Sequence, residues 1–431
     1  MIMAAAGRAL RSMDPSPFAR SLTTFGGIRT RPCIAFLYHV TIPPTQDPRG
    51  VFEMHVGTSV IFQNPQGNAG DPDLDEKVYD LEYELADNAE SLGFDSLWSV
   101  EHHLNGYAMC PDPLKFLMYF AGRTKNIRLG TMVVVMPWHE PLRVAEDASV
   151  LDQVSGGRTI LGLGRGVAKQ EFEGFGVDQN NARALLVEGI EATKMGLETG
   201  VIDYQGTVVK QPYVQIRPKP RYSFKGRIYG SAQSPETYEL FGKLGIGILF
   251  IPGQKSWDDV ARDLEVYRST FRAVHNEEPP APIFAGWTFV DEDEKRAQEL
   301  GYKYIRGYVD SAMDHYNVGG AHMKSLKGYE NYAKATEDAR AAGITEDMGK
   351  DYFVSNHVYG TPDQCVARIA EVREKLGACG FIAIFNYAGM SADEARRNQQ
   401  LFADKVLPRL KALAPGLDIG LPSPALEAAA A

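Results

Sequence analysis

The sequence has few of the residues that build disulfide scaffolds and metal centres. Its 431 residues include four cysteines, Cys33, Cys110, Cys365 and Cys379, and none of them has a C-x-x-C spacing. That excludes a zinc ribbon or a dithiol redox motif and fits reduced, buried thiols. Cys110 differs in falling in a loop just behind two histidines, where a reactive role is the alternative. No apolar run reaches the ~18 residues needed to cross a bilayer. Positive charge is not in excess: 45 Lys and Arg against 55 Asp and Glu leave a net charge of −10, against a nucleic-acid or anionic-membrane partner. There is no internal repeat, no G-x-S-x-G nucleophile elbow and no H-E-x-x-H, which removes repeat, serine-hydrolase and zincin readings.

What remains is an ordinary globular composition, 44% hydrophobic and 23% charged. The ends differ from the middle. Residues 1–31 carry Arg8, Arg11, Arg20, Arg29 and Arg31 against one acid, Asp14, and read as a flexible extension, with an organellar targeting segment as the alternative. Residues 413–431 end in four alanines and read as a linker-like tail. Between them, 32–412 reads as one α/β domain of cytoplasmic type.

Strand-like runs fall at 33–41, 94–100, 127–136, 159–163, 227–230, 247–251, 283–290 and 381–385. Helical patterns separate them: 74–92 repeats Val78, Leu81, Leu85, Ala89 and Leu92 at helical spacing, and further helices are expected at 113–123, 142–153, 182–199, 257–275, 363–376 and 392–410. A hairpin insertion is read at 201–220, and 302–350, rich in tyrosine, glycine and charge, as a long lid segment. Eight alternations predict a (β/α)8 TIM barrel rather than a doubly wound sheet, with ligands at the carboxyl ends of the strands.

One such strand end organises the chain: Gly93 stops a helix, a short apolar strand follows, and Glu101-His102-His103 comes where it runs out. Neighbours on a strand point to opposite faces, so one histidine is expected to face the barrel mouth as a general base or proton carrier. No ligand spacing supports a metal, and none is expected. Gly162-Leu163-Gly164-Arg165-Gly166 follows a strand but has Val167 where a dinucleotide motif needs its third glycine. It leaves two readings, an anion site beside a guanidinium and a structural turn. Ala232-Gln233-Ser234 ends the next strand and opens a helix with Pro235, a second place for a phosphate. The run 131–138, with Met132 and Val133, is a core strand or the wall of a site for a flat aromatic ligand.

Taken together, these residues resemble the bacterial luciferase-like, flavin-dependent monooxygenase family. The resemblance rests on 93–103, on 129–137 with His139-Glu140-Pro141, Glu146-Asp147 and Leu151-Asp152-Gln153, and on Gly157-Arg158 through Arg165-Gly166. It continues through Phe172, Phe175-Gly176, Asp178, Asn180-Asn181 and Arg183-Ala184-Leu185 to Tyr359-Gly360-Thr361-Pro362-Asp363-Gln364-Cys365. It spans roughly 33–410, and 93–185 is close to the luciferase catalytic subunit. The resemblance implies a barrel that takes reduced FMN from a separate flavin reductase. Oxygen would add at flavin C4a, and the peroxyflavin would insert one oxygen atom into a small hydrophobic aldehyde, ketone or alkene. It implies His102 as the catalytic residue with His103 in support, Arg165 and Gly166 with Ala232, Gln233 and Ser234 at the phosphate, and a cis Met132–Val133 peptide under the isoalloxazine. A homodimer is the family's tendency. Where the luciferase subunit has a reactive cysteine this chain has Gly164, so light emission is not implied. Two other readings stand: an F420-dependent hydride-transfer enzyme of the same fold, and a non-catalytic flavin-binding subunit.

Overall fold

The structure is a computed structural model and describes residues 54–67, 70–253, 255–317 and 321–413. Eight parallel strands form its centre: β1 (His55–Val60), β2 (Ser96–Ser99), β3 (Arg128–Thr131), β4 (Thr159–Gly164), β5 (Ile228–Ser231), β6 (Gly247–Phe250), β7 (Ile283–Val290) and β8 (Gly380–Ile384). Each pairs with the next, and β8 pairs back onto β1 with Ile384 opposite Ser59, so the sheet closes without an edge. Every residue of these strands except Ser231 is buried, as expected of a parallel sheet covered by side chains within and helices outside.

Local sequence explains most helices. Leu74–Ser91 turns Leu81, Leu85, Ala86 and Ala89 inward at helical spacing. Pro141–Ser155 ends where Gly156 takes a left-handed φ of 71°, a conformation that costs glycine nothing. Pro362–Leu376 opens with a full capping box between Thr361 and Gln364. The hairpin is present as Val201–Gln205 against Lys210–Gln215. No described helix is long and apolar enough to cross a membrane.

Two expectations need correction. The run at 33–41 lies outside the described residues, and the first barrel strand is His55–Val60, inside what reads as a polar loop. Its polarity has a tertiary cause. A Cβ on Gly57 would meet Ser96 Oγ at 2.4 Å and Trp98 Nε1 at 2.9 Å, and His55 spends its Nε2 on Ser96 Oγ at 2.7 Å. The segment 302–350, read as one long lid of weak periodicity, is mostly helical: its first part completes a 23-residue helix, Glu294–Tyr316. Two further helices, Glu330–Ala341 and Glu346–Ser355, make up most of the rest.

Below the barrel, at the amino-terminal ends of β4 and β5, Asp152 and Arg227 form an ion pair of 2.6 Å with both side chains wholly buried. Barrels keep stabilising groups at this end and chemistry at the other.

Candidate active site

At the carboxyl ends of the strands lies a cavity of about 390 Å³ with two chemically different ends. One end is charged. Arg165 follows β4, and its Nη1 donates to the Gly328 carbonyl at 2.6 Å while its guanidinium lies 3.9 Å from the centre of the Tyr329 ring. Arg183 Nη2 donates to the same carbonyl at 3.4 Å, and Arg183 Nε is buried with no partner among the described residues. Ser231, Gln233, Ser234 and Thr237 line the cavity opposite them. The helix Pro235–Leu244 begins there without a side-chain cap, because Ser234 Oγ lies 3.0 Å from Thr237 Oγ1 instead. Two guanidiniums and the hydroxyls at a helix N-terminus together suit a phosphate. Ala232, expected beside them, is buried behind the wall.

The stretch 327–331 folds over this end. Tyr329 Oη donates to the Gly166 carbonyl at 2.8 Å, and Asn331 Nδ2 donates to both Glu236 carboxylate oxygens at 3.0 and 2.9 Å.

One wall is backbone-close. The Met132–Val133 peptide is cis, and both residues line the cavity. The glycines of β4 have a packing reason. A Cβ on Gly162 would meet the Thr131 carbonyl at 2.0 Å, and one on Gly164 would meet Val133 Cγ2 at 2.3 Å. The glycines let β4 close against the turn that follows β3, and the arginine lines the cavity. Gly164→Ala is expected to push Val133 off its position and destabilise the fold by about 1–3 kcal/mol, the usual range for overpacking. A chemical-denaturation midpoint unchanged from the parent would contradict this.

The other end holds the imidazoles and an aromatic wall. His102 lines the cavity with Val100 and Glu101 before it, just past the end of β2, and His103 does not. The His102 Nδ1 lies 3.1 Å from Glu171 Oε1, and its Nε2 lies 3.1 Å from the Tyr316 hydroxyl. The His103 ring packs edge-on to Trp138 and Phe175, with Nε2 at 3.1 Å from Glu101 Oε1. Glu101 is a clamp: Oε1 also takes His139 Nε2 at 2.7 Å, and Oε2 accepts the Val135 N–H at 2.8 Å, just past the cis peptide. Beyond His102 stand Tyr107, Trp287, Tyr308, Tyr316 and Phe353. Burial pushes the Tyr107 and Tyr316 phenols well above their ordinary range, so they stay protonated.

Sequence reasoning did not single out Glu171, Tyr107, Tyr308, His315 or Tyr316. Tyr308, Ala312 and Tyr316 line the cavity from one helix at a spacing of four, a signal present in the sequence. Cys110 is buried behind the site with its thiol pushed up to about 12 by burial, and Ser99 Oγ donates to its Sγ at 3.2 Å, an environment for an inert thiol. Cys365 and Cys379 are likewise buried, each with its Sγ against backbone carbonyls.

The sequence model of the luciferase-like monooxygenases matches residues 54–379. The alkanal monooxygenase alpha chain of Photorhabdus luminescens is 27% identical over 332 residues, covering 75% of this chain and 89% of that protein. The oxygenase component of the flavin-dependent trigonelline monooxygenase of Acinetobacter baylyi is 28% identical over 350 residues, 78% of this chain and 91% of its own length. Among solved structures, the oxygenating constituent of 3,6-diketocamphane monooxygenase from Pseudomonas putida, in complex with FMN, superimposes with a TM-score of 0.64 at 19% identity, covering 83% of this chain and 99% of that one. An F420-dependent secondary alcohol dehydrogenase gives 0.60 at 17% identity, with 82% and 98% covered. Both structural likenesses are of fold.

Proposed function

Because the chain belongs to the luciferase-like monooxygenase family, we propose that it is the oxygenase of a two-component system, using FMNH2 and O2 to place one oxygen atom on a small hydrophobic aldehyde, ketone or alkene. The observation that carries this reading is the two-ended cavity, with paired arginines at one end and His102 among aromatic rings at the other.

The residues fit a flavin mononucleotide. The buried, unpartnered Arg183 Nε and the adjacent Arg165 suit a dianionic phosphate, with Ser234 and Thr237 hydroxyls as further donors. Met132, Val133 and Gly164 line the wall against which a flat ring would lie. When bound, reduced flavin supplies the two electrons that let O2 give one atom to the substrate and the other to water. The chain's own part is to hold, exclude water and manage protons. Tyr329 and the Gly328 carbonyl keep Arg165 aimed inward. The aromatic wall of Trp287, Tyr308 and Phe353 takes the apolar substrate and keeps water out. His102, with Tyr316 on its Nε2, moves the proton at the reacting end.

Arg165→Met is expected to weaken FMN binding by about 10–100-fold, since a hydrogen bond to a charged group contributes roughly 1.5–3 kcal/mol. Riboflavin, which has no phosphate, should bind the variant as it binds the parent. An equal loss for both ligands would contradict the placement of the phosphate.

The shared fold of an F420-dependent dehydrogenase supports a second reading, hydride transfer to or from F420. Anaerobic titration with FMNH2 and with reduced F420 separates the two. Tighter binding of FMNH2, with O2 uptake on mixing with air, is expected; preference for F420 with no O2 uptake would favour the other. Turnover by the purified chain with an added flavin reductase would exclude a non-catalytic subunit, and the name of the Acinetobacter relative, an oxygenase component, supports such a reductase partner. Assembly as a homodimer in the cytoplasm completes the proposal, with sedimentation as the test of the dimer.

A further inference from the structure

We propose that Glu171 is the positioning residue of His102, and that a directed chain of hydrogen bonds from the backbone of Tyr107 sets the His102 ring as the Nδ1–H tautomer, with its Nε2 lone pair turned to the Tyr316 hydroxyl. This rests on the reading of His102 above and deepens it.

The direction of each bond follows from the one before. Asn105 Oδ1 accepts the Tyr107 N–H at 3.0 Å, which fixes the amide and leaves Asn105 Nδ2 as the donor to His315 Nδ1 at 3.0 Å. Gln170 Nε2 stands 2.9 Å from the same nitrogen. His315 Nδ1 is therefore an acceptor, and a neutral His315 carries its hydrogen on Nε2. That nitrogen lies 3.6 Å from Glu171 Oε2, and neither atom has a closer partner among the described residues. The other carboxylate oxygen, Oε1, accepts the His103 N–H at 2.8 Å and lies 3.1 Å from His102 Nδ1. A carboxylate has no hydrogen to give, so His102 must present Nδ1–H to it. Burial would raise the Glu171 carboxyl, but hydrogen bonds from His102 and His315 outweigh it and hold it below its ordinary range, so it stays a carboxylate. His102 Nε2 is then the lone pair, and the Tyr316 O–H donates to it.

The same logic decides against a cation among His102, Glu171 and His315, whose ligand atoms lie within 4.8 Å of one another. A metal on His315 Nε2 would require a hydrogen on Nδ1 and an acceptor facing it. Two amide donors face it instead. Glu171 does not line the cavity, so it acts through His102, while Tyr316 and His102 both reach the substrate space. In this state His102 accepts a proton at Nε2 and returns it through Tyr316, while its Nδ1–H stays on Glu171.

The test is ¹⁵N-histidine NMR of the ligand-free protein, with the His102 signal assigned by its loss in His102→Asn. A protonated Nδ1 and an unprotonated Nε2 are expected for His102, and the reverse tautomer would overturn the proposal whatever the enzyme's activity. In Glu171→Gln the tautomer preference should be lost and product per FMNH2 oxidised should fall by about 10–100-fold, the usual effect of a group that orients a functional histidine. FMN affinity should be unchanged, and Glu171→Asp should restore part of the yield. A Glu171→Gln protein with parental yield and tautomer would overturn the assignment. If that variant does not fold, the parent spectrum still decides.

Discussion

His102→Ala is expected to keep binding and oxidising FMNH2 while product formation falls by about 10²–10⁴-fold, the typical contribution of one positioned proton-transfer group. The geometry gives no substitute. His103 faces Trp138 and Phe175 and is held by Glu101, His315 lies against Glu171, and Tyr316 loses the imidazole nitrogen its hydroxyl meets. The cavity end proposed for the phosphate lies at β4, β5 and the stretch 327–331, away from His102, so flavin affinity should stay within about twofold of the parent. The electrons that no longer reach the substrate should appear as hydrogen peroxide. Assaying product and peroxide per FMNH2 consumed separates lost chemistry from lost binding, and undiminished product yield would remove His102 from the reaction.

Asp152→Ala should have the largest effect on stability, a loss of about 3–5 kcal/mol, because it leaves a buried charge without its counterion. Asp152 Oδ1 meets Arg227 Nη1 at 2.6 Å, and its Oδ2 accepts the Arg221 and Tyr222 N–H groups at 2.8 and 3.2 Å. Arg227 is otherwise surrounded by the carbonyls of Gly157, Thr159, Tyr222 and Ser223, which solvate a guanidinium but do not neutralise it. Arg128 lies near enough that, after burial, the charge of Arg227 is the next cause lowering its pKa to about 10. Without Asp152, Arg227 would face the charge of Arg128 with its own counterion gone, and Asp95 would act only on Arg128. The denaturation midpoint should drop at an unchanged slope, and replacing Arg227 by Met in the same chain should recover part of the loss. A single variant as stable as the parent would show that the pair does not hold the base of the barrel.

The elements legible in sequence were those whose cause is local. Seven barrel strands were readable as short apolar runs between helix signals, and Thr361-Pro362-Asp363-Gln364 announced its helix through its own capping chemistry. The first described strand was hidden because His55, Gly57, Thr58 and Ser59 answer to Ser96 and Trp98 on the neighbouring strand, not to their own periodicity. The helix Glu294–Tyr316 was hidden for a related reason: its buried side mixes Ala297, Gly301, Ile305 and Val309 with Tyr308 and His315, and its last turns give Tyr308 and Tyr316 to the cavity.

The site divides the same way. His102, Arg165, Gln233 and Ser234 stand at strand ends, where barrel chemistry is expected, and all four line the cavity. The partners that orient them come from distant or irregular segments: Glu171 from a short helix after β4, His315 and Tyr316 from the helix after β7, and Gly328 and Tyr329 from the stretch beyond it. Nothing in a single sequence pairs Glu171 with both His102 and His315, since 69 and about 140 residues separate them along the chain.

The most direct test of the account is isotopic. The purified chain, an added flavin reductase with FMN, and a panel of hydrophobic aldehydes, ketones and alkenes are incubated under ¹⁸O2, and the products are weighed by mass spectrometry. One ¹⁸O atom per product molecule, requiring FMNH2 and absent with reduced F420, is the predicted result. Product formed with F420 and without ¹⁸O, or no oxygenated product from any substrate while FMNH2 is consumed, would contradict it.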